Sequence, residues 1–520
     1  MPADHQSSNI SGLYEAEEQT PGVLPASPQW QEREPNSYGD FGGNFGMTTR
    51  KPITRDRQYR KGEVSDNNPT SSYTEDLTGL NMRSKMQGFL YADAREVPST
   101  RPINGARVAI TSVDGTAEQY KAAAGLTVFR VGHLVLGSGF GLAANNVFTR
   151  VNAVTATAIT VDANLANDAA PAATAAIEVV GFQFAAGGAV LSLPQGRALL
   201  TVAAGGIIAL GLTLGEWVGV GGDTAITRFA DTGAGAPFYG RISAITDTTI
   251  EFDKTTGVQA ANAGAAKTIQ LFFGVVVRNE DDPTLIKYRT YTQERQIGVG
   301  AGGTSSEFVR GAQCNQITIT VPTPGPDAKV TIEQTHIALL SGERLAAEPN
   351  LTATGVVTAA ANDPCFKPGL DVYRHKLTII DELTLNPTGL VAYNSECSLV
   401  INNNAAGNKA IEVFGNSGVN IGEFGVTGSL NGYWTSVAAT RAARQGAEAT
   451  WDLILTKNNR AVIFDIASLG LGNARAQVEA NTPVKIPLDT MAGKGKFGYS
   501  VLTCFLRYVP NVLLAQAQNA

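Results

Sequence analysis

The chain has 520 residues, of which 43% are hydrophobic, 7% aromatic and only 17% charged, with 56 glycines and a formal net charge of −6. Such a length supplies several buried cores, and the Gly-rich, charge-poor mixture suits short strands and tight turns. Without a basic surplus there are no counterions to release from a phosphate backbone, which excludes a tight grip on nucleic acid.

The cysteines, Cys314, Cys365, Cys397 and Cys504, are too far apart for a Cys-x-x-Cys site and too few for a disulfide framework, and read as small buried hydrophobes. His5, His133, His336 and His375 are isolated from one another and from any ligand spacing, so no metal is expected.

In chain order, residues 1–48 are rich in Pro, Gly, Ser, Gln and Glu without periodicity, and are expected to form a flexible arm that orders on a neighbour. The opening stretch carries acids and no apolar core, unlike a secretory or transit signal, so synthesis and retention in a cytoplasm are expected. Lys51 to Lys61, KPITRDRQYRK, reads as an extended charged strand, either a solvated edge or an intersubunit contact. A helix is expected next, capped by Ser72 or Thr74, with Glu75 and Asp76 in its first turn and Leu77, Leu80, Met82, Met86 and Leu90 along one face.

Residues 101–276 differ in texture, being rich in Ala, Gly, Thr and Val, and contain an internal echo. Arg150-VNAVTATAITV-Asp162 returns 91 positions later as Arg241-ISAITDTTIEF-Asp253, with Val151/Ile242, Val154/Ile245, Ile159/Ile250 and Val161/Phe252 matched. Apolar residues around a Thr-rich turn predict a duplicated strand-turn-strand unit. The segment reads as an insertion whose removal joins Leu90 to Leu285-IKYRTYTQERQI-Gly298, a strand whose partner would lie upstream. Within it, Ala198 to Gly215 has no charged residue, but its glycines favour buried strands over a membrane span.

Beyond it, the Gly298 to Gly303 loop precedes strands near 316–322 and 328–333 joined by a Pro-Gly turn. Residues 346–370 read as a linker. From 371 to 520 the order is strands, a helix capped by Thr435 and closed by Gly446, then strands.

Candidate chemistry is sparse. Neither Gly137–Gly141 nor Gly298–Gly303 leads into Gly-Lys-Ser/Thr and a helix, so no nucleotide or other cofactor is expected. Ser138 lies outside a nucleophile elbow and His133 cannot be placed as its base. The adjacent pairs Glu17-Glu18 and Asp281-Asp282 point apart on extended backbone and read as solvated charges. No catalytic residue is expected, and a building-block role is favoured over an enzyme. Trp217 is the lone candidate for a sugar platform and reads better as core.

Several phrases together carry a resemblance: TRDRQYRKGEV with EDLTGLNMRSKMQGFL, YRTYTQERQ, SSEFVRGAQCNQITITVPTPGPDAKVTIEQ, CSLVINNNAAGNKAIEVFG, VNIGEFGVTGSLNGYW and VKIPL. In order and spacing the chain resembles the tail tube (major tail) proteins of long-tailed, non-contractile (siphovirus-type) double-stranded DNA bacteriophages, in the group with two tube-type domains per chain. The resemblance implies a mainly β fold, with tube-type halves at 49–100 with 277–345 and at 371–520, each a β-sandwich or rolled sheet with a short helix, and tandem β repeats at 101–276 as an outward decoration. It implies a structural virion protein in the tail, made in the bacterial host cytoplasm, whose partners are other copies of itself, the tape measure and tail terminator proteins, and viral DNA passing through the lumen without specific binding. Three chains would form a pseudo-hexameric ring, in preference to six, with no membrane involved. The N-terminal arm and the Gly298 to Ser306 loop are the expected ring-to-ring contacts. The alternative is an exported or virion-surface β-module protein for display or adhesion.

Overall fold

The computed structural model describes residues 11–56, 58–95, 107–229, 237–257, 259–300, 303–345, 347–380, 387–390 and 393–514. The fold is mainly β, with 49% of residues in strands and 8% in helices. The chain divides into two compact units: residues 1–91, 287–368 and 396–430 form one, and residues 92–286, 369–395 and 431–520 the other.

The first unit is built on the long strands Thr290–Gly300 and Gly303–Val321, which pair as a hairpin from Thr290↔Gln313 to Gly300↔Gly303. Ser11–Glu18 lies against the first of these, Ser11↔Ile297 to Glu18↔Thr290, and supplies the upstream partner expected from sequence. Gly303–Val321 pairs with Leu340–Arg344, with Thr331–Ile337 and with residues 397–402. Thr331–Ile337 carries Glu63–Asp76, and that strand carries Pro35–Thr48. The helix Met82–Phe89 buries Met82, Lys85, Met86 and Phe89.

Several expectations change here. Residues 11–48, expected as a flexible arm, form the strands Ser11–Glu18, Gln29–Arg33 and Pro35–Thr48, while residues 1–10 lie outside the described residues. Ladder pairing and the burial of Leu13, Ala16 and Trp30 order a segment whose composition alone would not. Ser72 and Thr74 cap nothing. They lie in a strand whose inward positions are Asn67, Pro69, Ser71, Tyr73 and Glu75, and this mostly polar inner face hid the period of two. The helix begins only at Met82, after Asn81. Residues 51–56 and 58–61 have no strand. In the expected Gly298 to Ser306 loop, residues 298–300 and 303–306 belong to the paired strands, up to Gly300↔Gly303, and residues 301–302 lie outside the described residues. The linker at 346–370 contains Val356–Thr358, which pairs parallel with residues 29–31. Residues 396–430 group with the first unit because residues 397–402 extend its sheet at Gln316–Val321.

In the second unit the sequence echo becomes geometry. Phe148–Val154 and Ala158–Val161 pair as Ile159↔Val154, Thr160↔Ala153 and Val161↔Val151, with a register shift before the last pair. Phe238–Ile245 and Thr249–Thr255 pair as Ile250↔Ile245, Glu251↔Ala244 and Phe252↔Ile242, with the same shift at the same place. The turns match as well, Thr155 N–H to Ala158 O at 2.8 Å and Thr246 N–H to Thr249 O at 2.9 Å.

The duplication is larger than the echo. Each repeat has six antiparallel strands; numbered along the chain within each repeat, they stand side by side in the order 1-2-5-4-3-6. In the first repeat strand 1 is Val108–Ala109 continuing into Ser112–Asp114, and strand 6 is Ala176–Gln183; in the second they are Ala189–Ser192 and Gln270–Phe272. The ring closes in the first repeat through Ala176↔Ala109 and Ile177↔Val108, while Val113↔Tyr120 continues it on the other side. It closes in the second through Phe184 N–H to Ile269 O at 2.9 Å and Gly187 N–H to Lys267 O at 3.0 Å. Closure covers the edges of these short strands where they pair. The two rings join by their sixth strands, Gly181↔Phe272, so strand order reads as a palindrome about a pseudo-twofold axis. Val151, Ile159, Ile242 and Ile250, each fully buried, sit in their common core.

The remainder of this unit is a sheet in which Val372–Ile380, Ala449–Lys457, Arg460–Asn473, Leu502–Leu506 and Val275–Arg278 lie side by side. The helix Ala438–Gln445 starts three residues after the expected Thr435, and Gly446 closes it in the left-handed region at φ 64°. Ala92 and Ile286 form a β-bridge, as do Arg95 and Val276. Ala198–Val202 is a strand in the second ring, and no described helix is long and apolar enough to cross a membrane.

Candidate assembly surface and buried charge networks

The residues weighed for catalysis are not brought together. His133 and Ser138 sit at the two ends of one strand, an odd number of residues apart, so they face opposite sides. His133 is buried, its Nδ1 accepting the Arg130 N–H at 3.1 Å, and burial followed by the nearby Arg130 holds the imidazole down at about 4. Ser138 Oγ accepts from Arg107 at 2.8 Å. Asp281 pairs with Lys494 at 3.0 Å, and Asp282 accepts the Thr284 N–H at 2.9 Å. Among the described residues no group of three His, Cys, Asp or Glu could hold a metal ion. Cys314, Cys397 and Cys504 are buried and Cys365 half-buried, all as free thiols.

Glu17 and Glu18 do point apart, but only Glu17 is solvated. Glu18 is buried and accepts from Thr292 at 2.6 Å, Thr290 at 2.8 Å and the Gly311 N–H at 2.9 Å, which fixes the N-terminal strand on the long hairpin. Beside it, Glu15 pairs with Arg33 and accepts from Gln293 at 2.8 Å. Burial pushes the Glu15 carboxyl up, but Arg33, His336 and Lys85 outweigh it and bring it to about 2.

The second unit holds a larger network. Arg241 makes a two-pronged contact with Asp253, 2.9 Å on each prong, and reaches Asp465 at 3.2 Å and Thr450 at 3.0 Å. Asp465 also accepts from Trp217 Nε1 at 3.0 Å and Tyr499 OH at 2.9 Å, and Lys254 and Arg374 both pair with Asp452. Asp452 and Asp465 are direct cross-strand neighbours. Arg241, Asp253, Lys254 and Trp217 belong to the second β repeat, so that repeat is locked to the sheet of its unit by desolvated charge. Trp217 is therefore core, as its sequence context indicated.

In the first repeat the equivalent Arg150 and Asp162 are bridged through Asn152 and remain at the surface. Sequence reasoning singled out the repeat but not this divergence in use. The signal was available in the retained Arg and Asp at both ends of the echo.

Among the described residues, a group of exposed apolar side chains lies on the first unit. Pro35–Thr48 and Glu63–Asp76 pair from Pro35↔Glu75 to Thr48↔Glu63, but Pro35–Thr48 contributes no buried residue and the distal end of its partner is exposed. Near and beyond that end, Phe45, Met47, Ile53, Tyr59 and Val64 face solvent. Arg60 N–H donates to Arg50 O at 3.1 Å, closing the connection, and Lys51 lies 5.1 Å above the Tyr59 ring. Phe414 stacks on Phe45 at 6.2 Å and Lys409 binds Asp66 at 2.8 Å, so the exposed loop carrying Ile411 and Phe414 braces the hairpin and widens its apolar face. Isolated exposed apolar residues are ordinary, whereas a contiguous patch marks an interaction site.

No family model matches the chain, and no curated protein matches it significantly.

Proposed function

We propose that the protein is a structural virion component that polymerises into stacked rings, forming the hollow tail tube through which a phage genome passes. The observation that carries this reading is the projecting Pro35–Thr48/Glu63–Asp76 hairpin with its solvent-facing apolar end. An apolar, partly paired projection is costly to leave in water and is satisfied by a second copy. A heterologous contact of this kind generates rings or open polymers.

Other features support the same reading. The chain is mainly β, and its acidic balance suits a conduit wall to which phosphates do not adhere. Two tube-type halves per chain would let three chains complete a pseudo-hexameric ring. The paired β rings, with their own closed core and their lock onto one sheet, suit a rigid module on the outside of a tube. Tape measure and tail terminator proteins would be the further partners, with the activity structural and not enzymatic.

The test is sedimentation velocity of the purified chain over a concentration series, beside a variant in which residues 46–64 are replaced by a two-residue turn. The reading expects large open-ended polymers from the intact chain and none from the shortened one. Polymers of equal size from both would remove the hairpin from the account.

A further inference from the structure

The hairpin has two unlike ends. The described residues among 50–61 at its tip include Arg50, Lys51, Arg55, Arg60 and Lys61 against the single acid Asp56. At its base lies a cleft of about 470 Å³ whose lining includes Glu32, Glu34, Glu75, Asp76, Asp363 and Arg33; Lys85 holds Glu75 at 2.8 Å and Lys329 holds Asp76 at 2.9 Å, so the acidic character of the cleft rests chiefly on Glu32 and Glu34. Arg33 is turned toward Glu15, so it does not neutralise that lining. Arg33 is 8% exposed, and its Nε is buried without a hydrogen-bond partner.

Resting on the tube reading above, we propose that the cleft at the hairpin base receives the basic tip of the next copy, making a head-to-tail contact from ring to ring. Within one chain the two surfaces cannot meet. The tip and the cleft stand at opposite ends of a 14-residue strand, Pro35–Thr48, which at about 3.3 Å per residue places them roughly 40 Å apart. A self-complementary pair of surfaces separated along one rigid arm repeats in one direction, as open polymers require. Arg55 and Lys51 meet the exposed Glu34 and the half-buried Glu32 and Asp363, while Ile53 and Tyr59 find cover beside Leu80. The tip-to-cleft separation becomes the translation between copies, so the axial repeat of the polymer is no more than about 40 Å.

The experiment is a charge swap in the full chain, using Arg55→Glu with Arg60→Glu at the tip, Glu34→Arg with Glu32→Arg in the cleft, and all four together. Pelleting assays read polymer, and circular dichroism with thermal melts verifies folding of each variant. Each single-sided variant is expected to lower the pelleted fraction at least tenfold at 0.1 M salt, a loss of about 1.4 kcal/mol per tenfold. The four-fold variant restores it, which a misfolded protein would not. Rising salt weakens the wild-type polymer, because the contact is exposed and screened. Wild-type polymers with unimpaired single-sided variants overturn this contact while leaving the tube reading intact. A wild-type chain that never polymerises overturns both.

Discussion

Replacing Asp465 by Ala is the sharpest perturbation of the second unit. The Asp465 side chain is fully buried, and its carboxylate accepts from Trp217 Nε1 at 3.0 Å, Tyr499 OH at 2.9 Å and Arg241 Nη1 at 3.2 and 3.3 Å. Truncation leaves a buried guanidinium hydrogen-bonded to Asp253 and Thr450, Trp217 Nε1 without an acceptor, and Tyr499 OH with only its long 3.4 Å contact to Gly215 O. Breaking a buried pair from one side costs about 3–5 kcal/mol, which dominates the packing loss of so small a side chain. Because two compact units need not unfold together, a single unfolding curve is the wrong assay. Peptide-resolved hydrogen exchange is better suited, and amides of Phe238–Ile245 and Arg460–Asn473 should exchange roughly 10²- to 10³-fold faster, following about 1.4 kcal/mol per decade. Substituting both partners, Arg241→Met with Asp465→Leu, removes the stranded charge and should cost less than Asp465→Ala alone. Unchanged exchange in Asp465→Ala would show that the network does not hold the repeat to the sheet.

Four further outcomes are expected. Ile159→Ala and Ile250→Ala, at matched fully buried positions of the two repeats, should each cost about 2–5 kcal/mol and resemble one another, as read by exchange within each ring. Gly446→Ala, at φ 64° with nothing close to a Cβ, should cost about 1 kcal/mol through backbone strain alone and lower the melting temperature slightly. Acid should destabilise in a set order: burial holds His133 and His336 neutral, with values near 4, so stability is complete above the ordinary 6.5 and falls as pH drops from 6.5 to 4, with Glu15 adding loss below about 4.5 toward 2; equal melting temperatures at pH 7.5 and 4.5 would contradict this. In alkylation followed by intact mass, burial keeps Cys314, Cys397 and Cys504 protonated and covered, so Cys365 should be the one thiol modified before unfolding.

What could be read from sequence was what local pattern controls. The echo at Arg150 and Arg241 predicted a strand, turn and strand, and the pairing agrees down to the shift after Thr160 and Glu251. Gly446 was legible because a left-handed helix end admits few other residues. The strands from Ser11 to Thr48 were not, because their order comes from partners such as Thr290–Gly300, hundreds of residues away. The strand Glu63–Asp76 does not announce itself, and Ser72 to Asp76 resembles a helix start, because the inner face holds Asn67, Ser71 and Glu75, the last paired with Lys85. The basic stretch after Lys51 could be seen as a contact candidate, whereas the acidic cleft could not. Its residues at 31–36, 75–84 and 358–365 meet only through the fold.

The account stands or falls on self-assembly, and negative-stain electron microscopy of the purified chain at rising concentration tests it most directly. Hollow tubes of stacked rings, with a stain-filled lumen and an axial repeat no greater than about 40 Å, are the predicted result. Compact particles that stay monomeric at every concentration, or solid filaments with no lumen, would contradict it.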